Sequence, residues 1–275
     1  MWRRVTTEGP IGLVAGQGSF PMLFAKAALS VNRPVILFGV EGITDRRVEE
    51  YTSEAHYVGL GELGRLLDLL KGKSIKQVVF AGSIPKKRIY DASLKLDTTA
   101  SDFLHQTSNK GDDHLLRSLE VLLKVKCGAS VLDSRRFLKN TLAPKGVITR
   151  RKPSENEKKD LKLGFQTAKH VGRMDVGQTV VVKDGVVVAV EALEGTDQAI
   201  RRGGELARSG TVVVKVSKPN QALRFDLPCV GPDTIEVLRS VSAAVLGVEA
   251  GRTILLSKDK FIEEADRAGL CVVGV

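Results

Sequence analysis

Between Lys218 and Pro228 the chain reads Lys-Pro-Asn-Gln-Ala-Leu-Arg-Phe-Asp-Leu-Pro. Two prolines pin a segment that holds Lys, Gln, Arg and Asp, which an ordinary loop has no reason to need. In extended chain Arg224 and Asp226 would share one face. A cation for phosphate beside an acid for metal or water is what pyrophosphate hydrolysis requires. The plain alternative is a surface ion pair worth well under ~1 kcal/mol.

Four further clusters carry glycines or carboxylates at a strand's end or a helix's start. Ile11 to Pro21, IGLVAGQGSFP, is an apolar run followed by Gly16-Gln17-Gly18 and a helix start. Such a turn presents free amides and the positive end of a helix dipole to an anion. The dinucleotide fingerprint would want a third glycine where Pro21 stands, although Glu41 lies near the spacing of a ribose-binding acid. A nicotinamide-dependent (NAD(P)) oxidoreductase therefore stays open as an alternative, as does a tight turn with no ligand. Gly82-Ser83 ends a second strand, and in an open parallel sheet both turns would meet one crevice. Lys110-Gly111-Asp112-Asp113 precedes a leucine-striped helix, with Asp112 placed to cap it or to hold a metal or polar ligand. Glu194-Gly195-Thr196-Asp197 repeats the strand, glycine, helix pattern, with Thr196 as the cap.

The elements that must position these groups alternate. In the first half, strands are read at Ile11–Ala15, Pro34–Phe38, Ala55–Val58, Gln77–Ala81 and Ala129–Leu132. Helices follow at Pro21–Leu29, at Leu63 to Leu70 and at Asp113–Val125, which implies parallel pairing through right-handed crossovers. Residues 147–160, VITRRKPSENEKKD, are polar and read as a linker or exposed connection. The second half opens with a helix at Leu161–Val171. Valine-rich runs at Gln178–Val182 and Val186–Val190 then flank Asp184-Gly185, a strong hairpin signal. Helices at Thr196–Ala207, Pro232–Leu246 and Lys258–Ala268 and strands at Thr211–Val216, Thr253–Leu256 and Leu270–Val273 complete it. The expectation is two α/β domains: a Rossmann-like parallel-sheet domain at 1–134 and a mixed α/β domain at 135–275.

Composition narrows the partners. The 275 residues carry 42 Lys and Arg against 32 Asp and Glu, a net +10, with 43% hydrophobic residues. That rules out wholesale disorder. No apolar stretch nears the roughly 20 residues of a membrane span, and Arg3-Arg4 lead into no signal-peptide core. A cytoplasmic protein is expected. Three scattered cysteines and four histidines without metal-ligand spacing argue against disulfides, a cysteine-held zinc site or a histidine-based metal site. With 5% aromatic residues, stacking on nucleic acid has little support.

Taken in order, IGLVAGQGSFP, Gly61-Glu62, Ala81-Gly82, KGDDHLL, GRMDVGQTVVV, VEALEGTD and KPNQALRFDLPCVGPDTI resemble the LpxI-type UDP-2,3-diacylglucosamine pyrophosphatases of lipid A biosynthesis, along essentially the whole chain. The resemblance implies a two-domain hydrolase with the lipid-nucleotide held between the domains. It implies a divalent cation, magnesium foremost, and hydrolysis to UMP and 2,3-diacylglucosamine 1-phosphate (lipid X) by water attacking the α-phosphorus. The family's essential aspartate falls on Asp226, which is also expected to hold metal together with Asp197. Substrate contacts are expected from Gly16, Gln17, Gly18, Gly61, Gly82 and Ser83, and from Asp112, Gln178, Gly195, Thr196, Lys218, Gln221 and Arg224. Ala222 departs from the family, whose members tend to be acidic there. A peripheral contact with the cytoplasmic face of the inner membrane and a homodimer complete the expected partners; nucleic acid is not among them. A non-catalytic nucleotide- or lipid-binding protein is the further alternative.

Overall fold

The structure, a computed structural model, describes residues 9–84, 88, 94–107, 111–219, 223–225 and 227–275, with 111–113 as backbone only. The chain divides into two compact units. One runs to Leu138 and takes in Arg224 and Phe225; the other comprises Lys139–Leu223 and Leu227–Val275.

In the first unit, five strands form one parallel sheet: β1 (Ile11–Ala15), β2 (Val35–Val40), β3 (Glu54–Val58), β4 (Gln77–Ala81) and β5 (Ser130–Val131), in spatial order β3-β2-β1-β4-β5. All six residues of β2 are buried, as expected of a strand with helices on both faces. The described helices are α1 (Phe20–Ser30), α2 (Leu63–Gly72), α3 (Thr98–Thr107) and α4 (Gly111–Cys127). Successive strands step outward from β1 to β3, and the chain then returns to place β4 on the other side of β1. The direction of crossover thus reverses between β1 and β4, where ligands of such sheets bind. One expectation needs correction. Helix α4 begins at Gly111, so Asp112 lies inside its first turn rather than at the cap. Of the leucines striped along it, only Leu123 is fully buried, while Val121 and Val125 are exposed.

In the second unit a six-stranded mixed sheet has the order β6-β13-β11-β9-β7-β8. Its strands are β6 (Gly146–Val147), β7 (Thr179–Lys183), β8 (Val186–Val190), β9 (Val212–Lys215), β11 (Val245–Val248) and β13 (Cys271–Gly274); β10 (Cys229–Val230) and β12 (Ile254–Leu255) pair separately. Strands β9, β11 and β13 are parallel, and β7 runs antiparallel to both β8 and β9. Helix α5 (Glu155–Arg173) covers the face that carries Val180, Val182, Val212, Val214 and Val245. Helices α6 (Thr196–Ala207), α7 (Pro232–Ser240) and α8 (Lys258–Arg267) cover the other, where Val181, Val213, Leu246 and Val272 meet Ile200, Leu238 and Phe261. Each fully buried side chain of that size stabilises the fold by about 1.5–3 kcal/mol.

The hairpin forms as expected: Asp184 (φ 49°) and Gly185 (φ 79°) supply the two positive angles of a primed turn between β7 and β8. The supposed linker does not survive. Residues 155–160 are the opening turns of α5, where the Ser154 hydroxyl accepts from the Glu157 amide and the Glu157 carboxylate accepts from the Ser154 amide. Asp160 is 5% exposed and its carboxylate accepts from the turn amides of Asp184 (2.9 Å) and Gly185 (2.7 Å). The helix expected through Leu246 ends at Ser240. The chain turns with Ser242 at φ 50°, and Val245–Val248 becomes strand β11 at the sheet's interior.

Candidate active site

In the first unit the two glycine turns are bonded to each other. The Gly16 amide donates to Ala81 O (2.8 Å), Gln17 N to Ser83 O (2.9 Å) and Ser83 N to Gln17 O (3.2 Å). The Gln17 amide side chain also reaches the Ser83 hydroxyl at 3.3 Å. A Cβ on Gly16 would fall on the backbone of Ser83, and one on Gly82 (φ 84°) would lie 2.5 Å from Gln17 O. These two glycines are therefore required by backbone packing on backbone. The amides of Gly16 and Gln17 are consumed, contrary to the expectation of three free donors. Those of Gly18, Ser19 and Phe20 make no backbone hydrogen bond among the described residues and open α1 at the β1/β4 switch point.

Gly61 belongs to the turn that starts α2 and accepts from the Asp97 amide at 2.9 Å, while the Asp97 carboxylate accepts from Gly64 N and Ala100 N. Glu41, the expected ribose acid, is exposed and pairs with Arg46 at 3.3 Å. Arg224 Nη2 lies 2.6 Å from Glu120 Oε2, and Phe225 packs on Phe80 with ring centroids 5.3 Å apart. Leu223 to Phe225 form a turn rather than extended chain.

In the second unit the expected residues gather along one sheet edge. Register places the start of β7 beside the end of β9, and the carboxyl ends of β8 and β11 open on the same side. Glu191, buried just after β8, accepts from the Thr196 hydroxyl (3.0 Å) and the Gln178 amide (3.3 Å). The hydroxyls of Thr179 and Thr196 are 3.3 Å apart. The N-cap of α6 is Gly195 (φ 86°), so Thr196 is its first helical residue and binds Glu191 instead of capping. Glu194 pairs with Arg202, and that ion pair holds its carboxyl below the ordinary value. Lys218 pairs with Asp175 on the segment after α5.

Sequence reading missed the centre of this edge. Glu249, at the end of β11, accepts from Lys169 Nζ (2.7 Å to both oxygens), Ser217 N (2.8 Å) and Ser217 Oγ (2.6 Å). Burial pushes the Glu249 carboxyl up, but the hydrogen bonds from Lys169 and Ser217 outweigh it and hold its pKa below the ordinary value. The group thus stays ionised and fixes the residue that leads into Lys218.

Asp226, Gln221 and the side chain of Asp112 lie outside the described residues. Asp197 is exposed in the first turn of α6. Among the described residues no three His, Cys, Asp or Glu side chains converge as a metal site would require.

A model of the LpxI N-terminal domain matches residues 10–141 and one of the LpxI C-terminal domain matches residues 144–273. The chain belongs to the LpxI family. Within that family, the UDP-2,3-diacylglucosamine pyrophosphatase LpxI of Caulobacter vibrioides is 31% identical over 278 residues, covering 96% of this chain and 97% of the relative. Two solved structures share a remote likeness with it. N5-carboxyaminoimidazole ribonucleotide synthetase from Thermotoga maritima is 15% identical with a TM-score of 0.25, over 67% of this chain and 41% of that one. Cj0485 dehydrogenase is 10% identical with a TM-score of 0.27, over 64% of this chain and 68% of that one. Scores of this size carry no weight for LpxI chemistry. No helix among the described residues is long and apolar enough to cross a membrane.

Proposed function

We propose that this chain hydrolyses UDP-2,3-diacylglucosamine to UMP and 2,3-diacylglucosamine 1-phosphate in lipid A biosynthesis. The observation that carries the reading is the match to the Caulobacter pyrophosphatase along nearly the full length of both chains, across both family domains. Water attacks the α-phosphorus. A new P–O bond forms to the uridylyl group, the bond to the bridging oxygen breaks, and the sugar 1-phosphate leaves with that oxygen. Asp226 orients the water or accepts its proton. The diphosphate charge is offset by Lys218, by Arg224 and by the amides of Gly18 to Phe20 at the start of α1. Gln178, Gly195 and Thr196 supply polar contacts at the edge of the second sheet. The resemblance also brings a divalent cation, magnesium foremost, to the proposal; no step above depends on it. Peripheral membrane contact and a homodimer belong to the same reading. Salt-sensitive co-sedimentation with anionic liposomes checks the first, and light scattering checks the second.

Incubation with UDP-2,3-diacylglucosamine and magnesium in ¹⁸O-water tests the reaction. UMP carrying the label is the expected product. Label in the sugar phosphate would move the attack to the β-phosphorus, and no UMP at all would end the proposal.

A further inference from the structure

The residues just before Asp226 are held in place by two side chains that no sequence motif contains. Phe225 is 5% exposed, and its ring lies 5.3 Å from that of Phe80 at a tilt of 38°. Phe80 is the fourth residue of β4, directly ahead of the Ala81-Gly82-Ser83 turn that bonds Gln17. Glu120, on α4, accepts from Arg224 Nη2 at 2.6 Å. Both anchors belong to the unit that takes in Arg224 and Phe225. The aromatic contact fixes where the backbone lies, since a buried ring tolerates little sliding. The ion pair fixes where the guanidinium points. A half-exposed pair alone would do neither, because water competes for each partner.

We propose that Phe80 and Glu120 are positioning residues that hold Arg224 at the carboxyl end of β4 for its work on the diphosphate. The inference rests on the hydrolase reading above. Catalytic charges must be aimed where charge develops, and a misplacement of about 1 Å can cost about a hundredfold in rate.

The test measures kcat and KM for UMP release, and the melting temperature, in Phe80→Ala, Phe80→Leu, Phe225→Ala, the Phe80→Ala/Phe225→Ala pair and Glu120→Gln. Phe80→Ala is expected to lower kcat about tenfold or more, with Phe80→Leu recovering most of the loss. The double variant should be no slower than Phe80→Ala alone, because the ring contact can be lost only once. Glu120→Gln should lower kcat/KM about threefold to tenfold, as expected when one charged hydrogen-bond partner is neutralised. If Phe80→Ala does not fold, Phe80→Leu and Glu120→Gln carry the test by the same readouts. Variants with a lower melting temperature but wild-type kcat per folded molecule would overturn the inference, since the contacts would then serve stability alone. Additive losses in the double variant would overturn it too. So would a higher kcat/KM in Glu120→Gln, which would make the carboxylate a competitor for the guanidinium. A wild-type chain that releases no UMP would overturn the hydrolase reading and this inference together. A wild-type chain that releases UMP beside variants of unchanged kcat would overturn the inference alone.

Discussion

At the carboxyl edge of the first unit's sheet, turn is bonded to turn through main-chain groups and two glycines. The matching edge of the second unit is held by buried charged side chains centred on Glu249. Backbone bonds do not titrate, and a glycine contact fails only by steric intrusion. Ion pairs in a partly buried site titrate and fail when one partner is removed. The two edges should therefore break under different insults, although the proposed reaction draws on residues of both.

The largest effect is expected from loss of the proposed catalytic acid. Asp226→Ala should keep the fold yet lose nearly all UMP release; residual turnover above roughly a tenth, a barrier change of only ~1.4 kcal/mol, would remove Asp226 from the chemistry. Glu249→Gln comes next, since it strands Lys169 without its charge partner, at a cost of about 3–5 kcal/mol in urea unfolding. Because the folded-state pKa of Glu249 is depressed, its contribution is present above the ordinary glutamate value of 4.5 and is lost as pH falls through the lower folded value. The stability gap between wild type and Glu249→Gln should thus narrow on acidification below that range. Gly82→Ala should cost on the order of 1–3 kcal/mol for its left-handed backbone, more if the Gln17 carbonyl cannot retreat, with a gap that does not change with pH. A pH-dependent gap for Gly82→Ala would erase the distinction between the edges. Smallest of all, Glu194→Gln breaks a half-exposed pair with Arg202 and should cost under ~1 kcal/mol, less at high salt.

Much of the framework was legible because buried parallel strands read as unbroken apolar runs and Asp184-Gly185 allows few conformations other than a hairpin turn. The errors have local causes. Residues 147–160 look like a linker by polarity, yet Ser154 to Glu157 spells a capping box that marks a helix start. Helix α7 ends without glycine, and Val241, Ala243 and Ala244 continue an apolar pattern past the true end, so the read helix ran on into β11. The glycine turns were visible as motifs; that the Gly16 and Gln17 amides donate to carbonyls of the other turn was not, because it depends on β1 lying beside β4. Lys169 with Glu249 and Glu120 with Arg224 were beyond reach for the same reason. Their partners lie 80 and 104 residues apart, and nothing in either local sequence names the other.

The threading of the chain has a consequence for dissecting it. Residues 10–141 match one domain model, but the compact unit they build also takes in Arg224 and Phe225 from far downstream. A fragment cut after Leu138 would leave the Phe80 ring without its cover and Glu120 without its counter-ion. Expression of the two halves as separate pieces, each ending at a family boundary, would therefore sever a patch of the molecule that no single contiguous stretch of the gene encodes.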